Sequence, residues 1–241
     1  MNYTSKITML VVAGSNLLFG SLVAIGPVPS SGSGLGNVNT ALTFSSPGNS
    51  STETGCVGAG LAGVKITGSA ACPAGFLGGN EQAINNTFSA TQLALLNFSN
   101  LQVIFNASEP GNTAQQGITV DLLALTLWNP TTGGLLGTFS TTAPFVTTDA
   151  FSGVGNAGYG FRLDEEQALS ANQLLAAFPN LFLGVSANAS SATGGQETVS
   201  LRVVTGGGGT PPSEVIPEPG TYALVGIGLI SAAYWNRRKS S

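Results

Sequence analysis

The chain has 241 residues, of which only 7% are charged, whereas charged side chains make up about 25% of a typical soluble domain. It contains no histidine, which excludes the commonest general base, the usual zinc ligand and every Ser-His-Asp or Cys-His arrangement. Between Pro27 and Glu214 there are ten acidic and three basic residues, a net charge of −7 that excludes a nucleic acid as partner.

Residues 1–26 have the pattern of a secretory signal peptide. Lys6 supplies the positive charge near the start, and an apolar run follows from Ile7 to Ile25. Because Pro27 disfavours cleavage directly before it, the cleavage site is predicted only to within residues 20–36, and residues 27–36 are interpreted as a flexible leader. An uncleaved N-terminal anchor is the alternative. The low charge and this segment together favour an exported, β-rich protein over a cytosolic enzyme.

The two cysteines, Cys56 and Cys72, are 16 positions apart. In an oxidising compartment they are predicted to form a disulfide. Closing a loop of this length stabilises the folded state by roughly 3 kcal/mol in the chain-entropy model. Two unpaired thiols in a flexible segment are the alternative.

Residues 37–205 are predicted to form a mainly β ectodomain. In its last apolar run, Val199 and Leu201 alternate with Ser200 and Arg202, which is the period-2 pattern of a half-buried strand. A turn-forming cluster at 129–134 predicts a hairpin between two other runs. The regular spacing of short strands favours an antiparallel β-sandwich or jelly roll with one or two short helices. The predicted strands are 101–105, 118–128, 135–140, 158–163, 181–185 and 198–204.

Two segments of the ectodomain resemble each other. Ser89–Leu93 matches Ser170–Leu174, and both begin with the pattern Ser-x-x-Gln. In such a capping box the serine hydroxyl and the glutamine side chain each satisfy an N–H group at a helix start. Since an apolar run follows each copy, the sequence predicts a helix of one or two turns before a strand in each half.

Asp164, Glu165 and Glu166 form the one acidic cluster of the sequence. Because Ca²⁺ takes oxygen ligands, this acidic cluster is a weak calcium candidate. It also lies directly before the helical pattern of 168–178, where the helix dipole favours carboxylates. No further spaced carboxylates complete a calcium-binding loop. The structural interpretation is therefore preferred, and no metal or cofactor is predicted.

The last part of the chain has three successive segments. Residues 206–214 are a Gly- and Pro-rich linker, and Pro217, Glu218 and Pro219 follow it. A charge-free stretch at 221–235 is predicted to be a short transmembrane helix. The basic tail at 237–239 is predicted to stay in the cytoplasm by the positive-inside rule, so that most of the chain lies outside the inner membrane.

The order of Pro217-Glu218-Pro219, a short apolar span and a basic tail within residues 215–241 resembles the PEP-CTERM sorting signal. The resemblance implies export by the general secretion machinery and a transient inner-membrane intermediate. An exosortase, a multi-spanning membrane protease, would recognise Pro217, Glu218 and Pro219 and remove the tail. The resemblance also implies a Gram-negative host that makes extracellular polysaccharide, with the product at the cell surface or in the matrix. A permanent C-terminal anchor is the alternative.

Three functions are compared for the ectodomain. A non-enzymatic surface or matrix protein is preferred, because the charge is low and the chain lacks a catalytic arrangement. The alternative is a module that binds carbohydrate such as exopolysaccharide, with Trp128, Tyr159 and Phe161 as stacking rings, although core packing explains these rings equally well. A glycosidase would need paired carboxylates, from Asp121, Asp149 or the acidic cluster, and no pattern brings two of them together.

Overall fold

The apolar runs of the sequence form strands of a curled antiparallel sheet with one α-helix. The structure is a computed structural model, and it describes residues 20–28, 39–46, 50–82, 84–107, 117–147, 157–192 and 195–204. The helix, α1, covers Glu165–Ala177. The strands of this described part are β1 (Gly20–Pro27), β2 (Asn39–Phe44), β3 (Glu53–Ala59), β4 (Lys65–Thr67), β5 (Phe88–Ser89), β6 (Leu101–Ala107), β7 (Thr119–Trp128), β8 (Leu135–Ser140), β9 (Phe145–Val146), β10 (Ala157–Leu163), β11 (Phe182–Ser190) and β12 (Glu197–Val203).

The sheet consists of two antiparallel halves that are joined through β1. One half has the order β2-β12-β6-β10-β1, and the other has the order β8-β7-β11-β3-β4. The short strands β5 and β9 pair with β11 and β7. The halves meet where the start of β1 runs parallel to β8, with Gly20 opposite Phe139 and Ser21 opposite Ser140.

The inner faces of the two halves share one hydrophobic core. Val199 and Leu201 of β12 are fully buried in it, as predicted. Ser200 between them is also buried, being 1% exposed, so β12 is not half-buried at this position as the alternation predicted. Aromatic rings fill the space between the halves. Phe145 packs edge-on against Tyr159 and Phe161, with ring centroids 5.2 and 5.6 Å apart.

A segment without regular strand structure covers the free edge of β2. This closing segment comprises residues 80–82 and 84–86, and its main chain follows β2. Gln82 donates its N–H to the carbonyl of Thr43 at 2.7 Å, and Asn86 donates to Ala41 at 2.8 Å. Asn80 also donates its N–H to the carbonyl of Thr54 on β3, at 3.1 Å. The closing segment therefore connects the outer strand of one half to the other half.

The mainly β class and all six predicted strands are confirmed, and so is the hairpin at 129–134. That turn is held by Asn129, whose side-chain oxygen accepts the N–H groups of Thr131 and Thr132 at 2.8 and 3.1 Å. The jelly-roll arrangement stays a prediction. Six of the described strands were not predicted. Strand β1 lies in the apolar run that the sequence assigns to the signal peptide. Strands β2 and β3 are rich in Gly, Ala and Thr and carry few large apolar residues, and β4, β5 and β9 have only two or three residues each.

The two similar segments adopt different local structures. In the first, Ser89 and Gln92 make both bonds of a capping box, at 3.1 and 2.7 Å. The chain then turns back instead of entering a helix, because Ala94 has a φ of +51°. The predicted helix in this half is therefore wrong. In the second, Ser170 lies inside α1 and caps nothing, since the helix begins three residues before 168 and its N-cap is Asp164.

Several predicted segments fall wholly or partly outside the described residues. Of the predicted signal peptide, 1–19 lies outside them and the remaining residues belong to β1. The leader at 27–36 lies outside them beyond Val28. The linker, the predicted transmembrane helix and the basic tail also lie outside them.

Candidate functional site

The sorting residues Pro217, Glu218 and Pro219 lie outside the part of the chain that the structure describes. Within the described ranges, no helix has the length and hydropathy needed to cross a membrane. The described geometry therefore concerns the predicted β-rich domain, and the predicted sorting residues rest on the sequence.

A disulfide fastens a long loop to the outer face of the sheet. Cys56 on β3 and Cys72 are bonded, with sulfur atoms 2.01 Å apart and Cα atoms 5.2 Å apart. The disulfide loop, defined as residues 60–79, packs Ala71 and Phe76 against Ala124 of β7 in a small second core. Since the neighbouring residues of β7 point into the main core, this second core covers the opposite face of the sheet. Both faces of this part of the sheet are therefore buried.

Glu81 holds the disulfide loop by accepting three main-chain hydrogen bonds. Its Oε1 accepts the N–H groups of Cys56 at 2.9 Å and Gly68 at 3.1 Å. Its Oε2 accepts the N–H of Gly79 at 2.9 Å. A carboxylate with three N–H donors is a structural anchor, because its lone pairs are engaged within the fold.

Two aromatic rings on this outer face lie against glycines. The ring of Trp128 lies where a side chain on Gly58 would project, 2.4 Å from the position of an added Cβ. The ring of Phe182 covers Gly63 in the same way, at 2.2 Å. The indole N–H of Trp128 donates to Thr126 Oγ1 at 2.8 Å. The rings therefore close the surface over β3 and β4.

The three aromatic rings that were candidates for sugar stacking are buried. Trp128 is 7% exposed, Tyr159 is 2% exposed and Phe161 is 1% exposed. A sugar ring stacks on an accessible aromatic face, so these three side chains do not provide a platform. They act as packing residues instead.

The acidic cluster begins α1. Asp164 accepts the N–H of Gln167 at 2.8 Å as the N-cap, and Glu165 and Glu166 are exposed in the first turn. Among the described residues, no three His, Cys, Asp or Glu side chains come together as metal ligands. Asp121 accepts a hydrogen bond from Ser190 Oγ at 3.0 Å, and Asp149 lies outside the described residues.

Sequence reasoning missed two buried glutamates. Glu53 and Glu197 lie at the starts of β3 and β12, and both are fully buried. Glu53 Oε1 accepts the N–H of Ser46 at 2.7 Å. In the sequence, each glutamate lies between a polar turn and a strand. A glutamate in such a position is normally exposed, so no local pattern predicts its burial.

A shallow apolar groove lies between the turn after Ser89 and the end of α1. Its volume is about 380 Å³. Leu96 at its rim is 90% exposed. The lining residues are Ala90, Thr91, Ala94, Leu95, Leu96, Leu175 and Pro179.

Comparison with known proteins identifies one segment. Residues 215–239 match the family model of the PEP-CTERM protein-sorting motif. No curated protein and no solved structure matches the chain. The resemblance drawn from Pro217, Glu218 and Pro219 is therefore confirmed by an independent match over the same residues.

Proposed function

We propose that this chain, which carries a PEP-CTERM sorting motif at 215–239, is an exported surface or extracellular-matrix protein without enzymatic activity. The motif is the observation that carries the proposal. Its presence supports delivery to an exosortase, with the general secretion machinery and the inner membrane as earlier partners.

The order of events follows from the arrangement of the motif. The basic tail at 237–239 holds the C-terminal end at the cytoplasmic side, while the apolar residues 221–235 lie in the bilayer. Pro217, Glu218 and Pro219 then lie at the outer side, where a membrane protease reaches them. Removal of the tail releases the ectodomain from its membrane-anchored intermediate to the cell surface or the medium.

The described ectodomain supports a structural role. Its disulfide suits an oxidising compartment outside the cytoplasm. Its carboxylates Asp164, Asp121 and Glu81 are used as a helix cap and as hydrogen-bond acceptors for the fold. The carbohydrate-binding alternative has no observation in its favour among the described residues, because the three proposed rings are buried.

The test measures the mass of the extracellular product in hosts with and without the exosortase. We expect a product that ends near 217–220, and we expect its loss when the exosortase is absent. Glu218→Ala should reduce this processing. Glu214→Ala is the matched control, because it removes the same charge four positions earlier and outside the matched motif. An intact C-terminus retained in the inner membrane of both hosts would overturn the proposal.

A further inference from the structure

Strand β1 is built from residues that the sequence pattern assigns to the export signal. The apolar run of that signal extends to Ile25, whereas β1 covers Gly20–Pro27. We propose that the chain from Gly20 onward is retained in the folded, exported protein, so that any leader cut lies N-terminal to Gly20. This proposal rests on the proposed export of the chain, but it concerns the N-terminal end, whereas the sorting motif lies at the C-terminal end.

The main chain of β1 occupies an interior position in the sheet. It pairs antiparallel with β10 over five residue pairs, from Leu22 opposite Leu163 to Pro27 opposite Tyr159. Its first residues pair with β8 on the other side. A cut after residue 26 would leave β10 and β8 facing each other across a missing strand, each with unpaired N–H and C=O groups.

Two contacts beyond the ladder tie β1 to its surroundings. The carbonyl of Ser21 accepts the N–H of Asp164, the N-cap of α1, at 3.2 Å. At the other end, Val28 donates its N–H to the carbonyl of Gly158 at 2.8 Å. The entry to the helix therefore depends on β1, whereas Val28 follows the strand and its bond would remain after a cut at residue 26.

The side chains of β1 also fill space that the remaining residues leave open. Leu22 is 3% exposed and belongs to the main core. Gly160 on β10 has no side chain, and Ile25 of β1 reaches to within 2.8 Å of the position of an added Cβ. This complementarity indicates that β1 and β10 fold as neighbours.

Residues upstream of Gly20 still contain the parts of a leader. Lys6 precedes an apolar run that reaches Phe19, which is 13 residues counted from Ile7. A signal peptide needs an apolar region of about 7–15 residues. Retention of β1 is therefore compatible with removal of a leader.

The direct test identifies the N-terminal residue of the exported protein. The full chain is expressed in its exosortase-bearing host, and the N-terminal peptide of the exported product is identified by mass spectrometry. An N-terminus at Gly20 or any earlier residue supports the proposal. An N-terminus at Ser21 or any later residue overturns it. The mass of the C-terminal peptide from the same sample tests the proposed sorting separately, so the two failures are distinguishable.

A matched pair of substitutions gives a second test. Leu22→Asn and Val23→Asn place the same polar group at adjacent positions of the export segment, but Leu22 faces the core and Val23 is 40% exposed. If β1 is retained, Leu22→Asn should lower the yield of protease-resistant exported protein about tenfold relative to Val23→Asn. Equal yields of the two variants would overturn the proposal.

Discussion

In this protein, side-chain oxygens accept several main-chain N–H groups of β2 and β3 that no neighbouring strand pairs with. Glu81 accepts the N–H of Cys56, and Asn80 Oδ1 accepts the N–H of Thr54 at 3.1 Å. Asn85 Oδ1 accepts the N–H of Thr43, also at 3.1 Å. Buried N–H groups without a partner are costly, so these side chains complete the hydrogen bonding that a further strand would otherwise supply.

Among these side chains, Glu81 should contribute most to the free energy of unfolding. Glu81→Ala removes acceptors for three N–H groups, and we expect the free energy of unfolding to fall by about 2–4 kcal/mol. Glu81→Gln keeps one acceptor oxygen, so about 1–2 kcal/mol is expected. Denaturant unfolding measures both values. Glu165→Gln, on the exposed first turn of α1, is the control and should change stability by less than about 0.5 kcal/mol. A loss for Glu81→Ala as small as the control would contradict the anchoring role.

At the scale of elements, one five-residue pattern produces a tight turn in one place and the middle of a helix in another. The difference lies in what precedes and follows it. Ahead of Ser170, Asp164 caps the helix and two glutamates occupy its first turn. After Ser89, the left-handed conformation of Ala94 ends the turn before a helix can propagate. A local motif therefore specifies hydrogen bonds, while its neighbours decide the element.

The two serines should respond differently to the same substitution. Ser89→Ala removes the acceptor for Gln92 N–H, and we expect a loss of about 1 kcal/mol. Ser170→Ala places the best helix former within α1, and we expect no loss or a gain of a few tenths of a kcal/mol. Chemical denaturation of both variants checks this difference. Equal losses would mean that Ser170 has a role in capping that its position inside α1 does not show.

The disulfide acts on the loop that covers the second half of the sheet. Reducing the bond, or replacing both residues in Cys56→Ala/Cys72→Ala, should lower the free energy of unfolding by roughly 3 kcal/mol. Unfolding curves with and without reductant measure the effect. The double variant serves as its own control, because reductant should leave its curve unchanged. A wild-type curve that is insensitive to reductant while the thiols are shown to be free would contradict the prediction.

For the molecule as a whole, the two halves of the curled sheet are held together by their shared core and by two main-chain connections. One connection is β1, which joins β10 to β8, and the other is the closing segment, which connects β2 to β3. Because each half buries its inner face against the other, we expect the two halves to unfold together.

The closing segment can be weakened at Asn85. Asn85→Ala removes a buried side chain that accepts from Thr43 N–H and donates to the carbonyl of Gln82. We expect a loss of about 2 kcal/mol and, because the edge of β2 becomes accessible, concentration-dependent self-association. Light scattering and denaturant unfolding measure the two effects. Asn86→Ala is the comparison and should have the smaller effect: Asn86 is exposed, it loses only the bond that its side chain donates to the Thr40 carbonyl at 3.2 Å, and its main-chain bond to Ala41 is kept. Association of both variants to the same extent would contradict this role of Asn85.

Features that are encoded in contiguous residues could be predicted from local patterns. The sorting motif at 215–239 is a linear signal, and no distant residue is needed to recognise it. Six of the seven described strands from Leu101 to Val203, all but β9, follow from apolar alternation and from turn residues, which act over a few positions. The pairing of Cys56 with Cys72 needed no choice between partners, since the chain has two cysteines.

Features that depend on contacts between distant residues became visible only in the folded chain. The end of the apolar N-terminal run pairs with β10, and Glu53 and Glu197 are buried. The Trp128 ring covers Gly58 and so provides no binding platform. Burial is set by what packs against a side chain, and here the packing partners come from segments far apart in the chain. Local patterns report which residues can enter a core, but the closure of the sheet determines which of them do.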